Sequence, residues 1–539
     1  MGLILTSLIY SLVFFILTTK ELITDKYDHD VDQFMYFGSR LLHGELIWTS
    51  EFDDKSPIVQ YFFSLPAALK NTNIFVVITL IFCLIAAYMG YLMLNDILEE
   101  SKLDINTKTK NSILYFGTIL YLSLLVCIYG SLHHLNAISS SLCLITIALT
   151  YLNKKNNNKL LINITAITSA ISISIRPYYL LNILVLPIWI SLRKAKYIAN
   201  KNEKNLIEKH STYIKSQINW IIIIMFYIIL FNLTPYLLTG TLSDFIYGIK
   251  LNSIDYVNHN IFERQYINIG RNPILYPVLL GMIILPCLRI FFRKIIYNHF
   301  NRKQNGLLNL YKLDIDITFF GIISPILLEI MFYKKHFFGH YFSLFSPYIF
   351  ICMVILLALI TRLNKIINNF NFIKIILKNI FLMLLIICLI TNQSLPNTIN
   401  EIIYKNISNK TYKATLIKEF LDQEKMKNEN FGFLAPENNY IHWKLDESRH
   451  GFPQKAVFIN IAKGKMDNLI NKYKHLNYRF LLPTKNNLCK TLYKNAPMYI
   501  ITEKNDYSFN CLKQSLSEYK LSKNSKLNKN NIFIFKKSK

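Results

Sequence analysis

Long apolar runs recur along most of the chain and constrain its fold more than any other feature. Runs near 3–19, 74–95, 112–130, 136–152, 160–175, 178–192, 219–238, 274–292, 316–333, 341–361 and 375–391 carry few or no charges. Most are of the length a helix needs to cross a hydrocarbon core of about 30 Å. With no water in that core to satisfy peptide groups, such runs are stable only as helices or closed barrels, and the length of these runs selects helices. The predicted fold is mainly α: a polytopic membrane helical bundle of about eleven spans. The runs at 160–192 are short and separated only by Arg176 and Pro177. They fit one broken helix or a tight hairpin, and the hairpin balances the loop charges better.

Composition agrees with this class. Of 539 residues, 52% are hydrophobic and 17% charged, and the mean hydropathy of +0.27 is too high for an ordinary soluble enzyme. Lys and Arg number 60 against 33 Asp and Glu, a formal net charge of +27. The basic residues are interrupted by apolar runs, which argues against nucleic acid as a partner. The preference for Lys, Asn and Ile over Arg, Ala and Gly points to codon bias as one source of the charge.

Loop charges orient the bundle. With a cytoplasmic amino terminus, the inside loops are 96–111, 153–159, 193–218, 293–315 and 362–374. They hold Lys154, Lys155 and Lys159, then Arg193, Lys194, Lys196, Lys201 and Lys204, then Arg293, Lys294, Arg302 and Lys303, as the positive-inside rule requires. The outside segments are 20–73, 131–135, 239–273, 334–340 and everything after 391. The first of these carries nine acidic residues, Glu21 to Asp54, against Lys20, Lys26, Arg40, Lys55 and Lys70. The first run ends directly at Lys20 and Glu21 with no small-residue cleavage site, so it reads as a retained span. No fixed-period repeat is visible.

The expected division is a transmembrane domain over 1–395, containing the first outside loop 20–73, and a small α/β extracytoplasmic domain over 400–539. The latter region is long enough to bury a core of its own. Its apolar runs 455–459 and 496–501 read as strands, and 411–426 and 464–474 have helical spacing. None of the eight cysteines stands in a CxxC spacing, so neither a zinc knuckle nor a redox dithiol is signalled. Cys83, Cys127, Cys143, Cys287, Cys352 and Cys388 lie in apolar runs and read as packing. Cys489 and Cys511 are able to pair only if that region is outside the cytoplasm. No metal site is predicted: His133-His134 reads as a polar hairpin tip.

Chemistry concentrates in the first outside loop. In Asp28-His29-Asp30-Val31-Asp32-Gln33-Phe34-Met35-Tyr36-Phe37-Gly38-Ser39-Arg40-Leu41-Leu42, the residues Phe34, Phe37, Leu41 and Leu42 recur at helical spacing. This predicts an amphipathic helix in the membrane interface with Asp30 and Asp32 at its positive end. A carboxylate there is placed to act as a general base on a hydroxyl, although spacing alone favours simple capping of a surface helix. Farther on, Asp53-Asp54-Lys55-Ser56-Pro57 opens another apolar helix. Lys55 and free helix amides would meet a phosphate arriving from the membrane, and a snorkelling lysine fits the same spacing.

These two segments resemble the first outside loop of the GT-C glycosyltransferases, the multispan enzymes that include protein O-mannosyltransferases and the lipid A aminoarabinose transferase. The shared pattern is Asp30, then Phe34, Tyr36, Gly38, Leu42 and Gly44, then Asp53, Lys55, Pro57 and Tyr61. Downstream, Arg176-Pro177 resembles the family's arginine-proline element. Leu242-Ser243-Asp244-Phe245-Ile246-Tyr247 resembles a segment of bacterial members, and Gly339-His340-Tyr341-Phe342 before Pro347 resembles their HY…P element. The chain departs at Val31, where many members have an acidic residue, and at Ser56-Pro57, where many have two prolines.

The resemblance implies an integral membrane glycosyltransferase of a bacterial cytoplasmic membrane. It would move a hexosyl or pentosyl unit from a polyprenyl-phosphate donor to a lipid-linked, glycan or protein acceptor on the outer face. Asp30 would be the base and Asp32 a second carboxylate. Lys55, Arg176 and His340 would hold the donor phosphate, and Asp53 and Tyr341 would contact substrate. No cofactor beyond the donor lipid is implied, and metal dependence is left open. The alternatives are a flippase or transporter of lipid-linked sugars, and a glycan polymerase or ligase. A transporter calls for ionisable groups buried at mid-membrane, and in the spans Glu329 is the main exception to their near absence.

Overall fold

The computed structural model describes residues 29–49, 56–125, 135–195, 204–252, 312–331 and 339–366, apart from Asp104 and Asn157, and short pieces of 415–537 that include four strands. The described chain is mainly helical. In order the helices are α1 (His29–Leu42), α2 (Ile58–Ala68), α3 (Asn73–Glu100), α4 (Thr107–Ser123), α5 (Leu135–Asn156), α6 (Lys159–Ile175), α7 (Leu180–Leu184), α8 (Leu186–Ala195), α9 (Lys204–Asn232), α10 (Thr234–Leu238), α11 (Leu242–Asn252), α12 (Ser324–Met331), α13 (Ser346–Ile366) and α14 (Ser525–Lys529). A helix from 312 enters α12 through a π turn, Phe319–Ile323. Among the described residues three helices are long and apolar enough to cross a membrane: Asn73–Glu100, Leu135–Asn153 and Ser343–Arg362. Spans expected near 3–19, 274–292 and 375–391 lie outside the described residues.

On α3 the large side chains of Val77, Ile81, Leu84, Ile85 and Tyr88 are exposed. Their spacing of three and four residues makes one face. A bare apolar stripe of this kind is favourable against lipid and costly against water, so α3 has the surface of a membrane helix as well as the length.

Two compact units divide the chain. The first comprises 1–21, 77–229 and 257–403, and the second 22–76, 230–256 and 404–539. Within the first, neighbouring helices run antiparallel, as their end contacts require. At one end Lys110 of α4 meets Glu99 of α3 at 2.7 Å. At the same end Arg193 of α8 pairs with Glu100 at 3.0 Å and with Asp316, and Tyr151 of α5 packs on Trp189. At the opposite end Ser139 of α5 and Ser172 of α6 each donate to the other's carbonyl, at 3.1 and 3.0 Å. Ser140 reaches Ser343 and Ser346 there.

The chain from 160 to 192 therefore turns back on itself. Thr146 bonds Thr168 of α6, and Tyr151, further along α5, stacks on Trp189 of α8. The reversal falls at Arg176-Pro177. A residue preceding proline is disfavoured in the α region, and Arg176 is extended, with φ −137° and ψ 95°.

Close packing depends on glycine at two places in this unit. A methyl at Gly90 or at Gly117 would collide with Phe350 of α13, and at Gly117 with Val354 as well. The free thiols Cys83, Cys143 and Cys352 are buried, as their apolar settings predict.

In the second unit α1 packs along α2, with Phe34 against Phe63 and Phe63 stacked on Phe75 at 4.0 Å. Its strands are β1 (Phe431–Phe433), β2 (Tyr499–Glu503), β3 (Tyr519–Leu521) and β4 (Ile532–Lys537), in the order β1-β2-β4-β3. β1 runs parallel to β2, and the other pairs are antiparallel. Ile501 stands opposite Ile534, and both are buried. Strand β2 overlaps the run 496–501, and helical residues at 415–417 and 419–420 fall within 411–426. The run 455–459, Cys489 and Cys511 lie outside the described residues.

Candidate functional site

Two of the predicted site residues, 165 positions apart, come together in the first unit. The Arg176 guanidinium lies 5.4 Å from the ring centre of Tyr341, and Tyr341 in turn packs on Tyr178 at 5.7 Å. The sequence explains how each is held. Pro177 removes an N–H and fixes its φ, ending α6 and starting a single 3₁₀ turn, Pro177–Tyr179. Tyr341 sits on a second 3₁₀ element, Gly339–Phe345, which also carries His340. The two elements are fastened by the Tyr179 hydroxyl, which donates to the Leu344 carbonyl at 2.7 Å. Ser140 of α5 donates to the Ser343 carbonyl from a third side.

Arg176 is 5% exposed. Among the described residues no carboxylate pairs with it, and its Nε has no acceptor. Keeping a buried guanidinium without a counter-charge costs several kcal/mol, and the Tyr341 ring face returns only about 0.5–2 kcal/mol of that. An anion is the ligand such a group takes best, through the planar fork that matches phosphate.

In the second unit Asp30 and Asp32 share the first turn of α1, which begins at His29. That is the end where a helix dipole favours negative charge. Asp32 is buried at 2% exposure. The helix expected from the apolar spacing forms, but it is covered more fully than a surface helix is. Phe34 and Phe37 are buried, but so are Gln33, Ser39 and Arg40 on the polar positions, while Leu42 is exposed. α1 is thus enclosed on its polar positions as well as its apolar ones.

Gln60 explains how α1 and the following turn are held. Its Nε2 donates to the carbonyls of Phe37 and Glu45, both at 3.2 Å, and its Oε1 accepts from the Ile47 amide at 2.9 Å. A methyl at Gly38 would overlap the Phe63 carbonyl, so only glycine lets the two helices approach this closely. Next along the chain Trp48 is buried at φ 72°, a costly conformation for so large a side chain. It is held between Phe245 and Tyr236, and the Tyr236 hydroxyl donates to the Ile47 carbonyl. The segment 242–247 thus supports the turn that follows α1.

Lys55 and Asp53 lie outside the described residues, as do His133 and His134. The helix after Lys55 does begin where expected, at Ile58, with the Ser56 hydroxyl donating to Asn232 at 3.3 Å. Its amides are less free than expected: those of Val59 and Gln60 donate to the carbonyls of Ser56 and Pro57 at 3.1 Å.

Sequence reasoning missed the buried ions at the other end of the first unit. Asp316, fully buried, accepts from Arg193 and from the Trp189 indole. Glu329, singled out from sequence, is half-buried. The available signal was an aspartate opening an apolar run and an arginine closing another. Among the described residues no cluster of three metal-ligating side chains occurs. No protein-family model and no curated protein sequence matches the chain.

Proposed function

We propose that the chain is an integral membrane glycosyltransferase of the GT-C type, transferring a sugar from a polyprenyl-phosphate donor to an acceptor on the outer face of a bacterial cytoplasmic membrane. The observation that carries the reading is the buried, uncompensated Arg176 packed against Tyr341. The motif resemblance assigned the first to the donor phosphate and the second to substrate, and chain separation gave no reason to bring them together.

The reaction asks for little else from the protein. The acceptor hydroxyl oxygen attacks the anomeric carbon, the bond from that carbon to the phosphate oxygen breaks, and polyprenyl phosphate leaves with the electron pair. Asp30 takes the hydroxyl proton, and Asp32, buried two residues further along the same turn, is the second carboxylate. The motif resemblance assigns the phosphate charge to Lys55, Arg176 and His340, and cationic side chains contribute most where such charge develops. A single base opposite the leaving group inverts the anomeric centre, and no nucleophilic carboxylate is needed.

Sidedness rests on two agreements. Alternation of the predicted spans puts 20–73, 239–273 and the region after 391 on one side, and the second unit gathers 22–76, 230–256 and 404–539. The predicted inside loops 96–111, 193–218 and 293–315 are bordered by Glu99, Lys110, Arg193 and Lys312, which meet at one end of the first unit.

The test is transfer itself. Membranes containing the chain, given radiolabelled polyprenyl-phosphate sugars, are expected to move label into a lipid, glycan or protein fraction. Labelled lipid that changes sides without any transfer would replace this reading by a flippase.

A further inference from the structure

Arg176, with its Nε unmet, is not alone in carrying a buried polar atom without a hydrogen-bond partner. Six residues on, Asn182 of α7 is 2% exposed, and neither its amide nitrogen nor its amide oxygen has a hydrogen-bond partner. Helix α7 packs against α12, whose first residue, Ser324, is fully buried with its hydroxyl likewise unpartnered. The serines and threonines of α5 and α6 behave differently. Ser139, Ser140, Ser141, Thr146, Ser169 and Ser172 are as deeply buried, and each is bonded. Unmet polar atoms occur elsewhere in this unit as well, Thr79 of α3 among them, but among the described residues Asn182 is the one whose amide nitrogen and oxygen are both unmet, and it stands between Arg176 and the helix that carries Ser324.

An unmade amide bond in a dry interior is among the more destabilising features a side chain carries, and polar residues retained inside membrane bundles mark function. The 3₁₀ turn and the first residues of α7 place Asn182 about 10 Å along the chain axis from Arg176. We propose that Asn182 is a ligand-reading residue. Its amide, one donor group and one acceptor, bonds the hydroxyl-bearing neutral part of the molecule whose anion Arg176 holds, with Ser324 a second contact from α12. On the reading above, on which this inference rests, that neutral part is the sugar of the donor, and Asn182 sets which sugar is accepted. A site that bonds a hydroxyl rejects analogues lacking it far more strongly than an apolar pocket rejects an added one.

Asn182→Leu keeps the branching at Cγ, in a somewhat larger side chain, and removes the unmet amide, so a ligand-reading role and a structural role predict opposite changes. Purified protein in detergent is melted alone, with polyprenyl phosphate, and with polyprenyl-phosphate hexose. The variant is expected to melt about 2–4 °C above the native chain without lipid. It should keep the shift produced by bare polyprenyl phosphate and lose the extra shift produced by the hexose, whereas Arg176→Leu loses both. A lower melting point for Asn182→Leu would assign the amide a structural partner and overturn the inference. So would an unchanged hexose-dependent shift. If neither lipid shifts the native chain, the donor reading fails and this assignment falls with it. A shift by bare phosphate with no hexose increment overturns the Asn182 role alone.

Discussion

Removing one charge at the buried end of the first unit should cost far more than removing both. Asp316 is fully buried and Arg193 is 2% exposed. Asp316→Ala takes from Arg193 its closest counter-charge and from the Trp189 indole its acceptor, held at 2.8 Å. Truncating one partner of a buried pair costs about 3–5 kcal/mol, because the survivor stays desolvated. Arg193 keeps Glu100 at 3.0 Å, but that carboxylate is partly exposed and shared with Lys312 at 3.8 Å. The lower end of the range, about 3 kcal/mol, follows.

In Arg193→Leu/Asp316→Leu no buried charge of the pair remains, and Glu100 retains Lys312. Ion pairs replaced by apolar residues of similar size are often neutral in stability, so the double variant should lose only about 1 kcal/mol. With Asp316→Leu, which strands Arg193 as Asp316→Ala does, and Arg193→Leu as the single variants, the double-mutant cycle should give a coupling of about 2 kcal/mol or more. Purified native, single and double variants are unfolded in detergent and followed by tryptophan fluorescence, to which Trp189 reports directly. Additive losses, or an Asp316→Ala variant within about 0.5 kcal/mol of the native chain, would refute the reasoning.

Two further outcomes test the second unit. Gly38→Ala drives a methyl into the Phe63 carbonyl, so α1 and α2 must separate at a cost of about 1–3 kcal/mol. A melting point equal to that of the native chain would show that the helices approach less closely than described. Lys55→Ala is expected to raise the apparent KM for the polyprenyl-phosphate donor about tenfold or more, as loss of one charge-assisted contact implies. The KM for the acceptor should change little, and a defect confined to the acceptor would remove Lys55 from the phosphate.

Much of the helical layout was legible because lipid leaves so few options for an apolar run. Span boundaries near 74, 136, 160 and 178 match the starts of α3, α5, α6 and the Pro177 turn within a few residues. The return of the chain at Arg176 was legible for a local reason, since proline restricts both itself and the residue before it. The surroundings of α1 were not. Periodicity reports which face of a helix is apolar, and the polar positions Gln33, Ser39 and Arg40 gave no sign that other parts of the chain would cover them as well. Gln60 was missed for the same reason: its three hydrogen bonds go to backbone groups, which carry no sequence signature. Arg193 was read as one of several inside basic residues because charge runs look alike in sequence. Only packing distinguishes the member that meets Asp316. Arg176 and Tyr341 were named from motifs, and their proximity is a tertiary fact.

The central claim is that a carboxylate on the first turn of α1 removes the acceptor proton. Its most direct test compares the native chain with Asp30→Asn in proteoliposomes supplied with radiolabelled polyprenyl-phosphate sugar and acceptor. The substitution preserves shape and removes the base. General-base catalysis contributes about 10²–10⁴-fold, so label transfer should fall by at least about 100-fold while the donor-dependent melting shift is retained. Transfer at the native rate by Asp30→Asn would contradict the account.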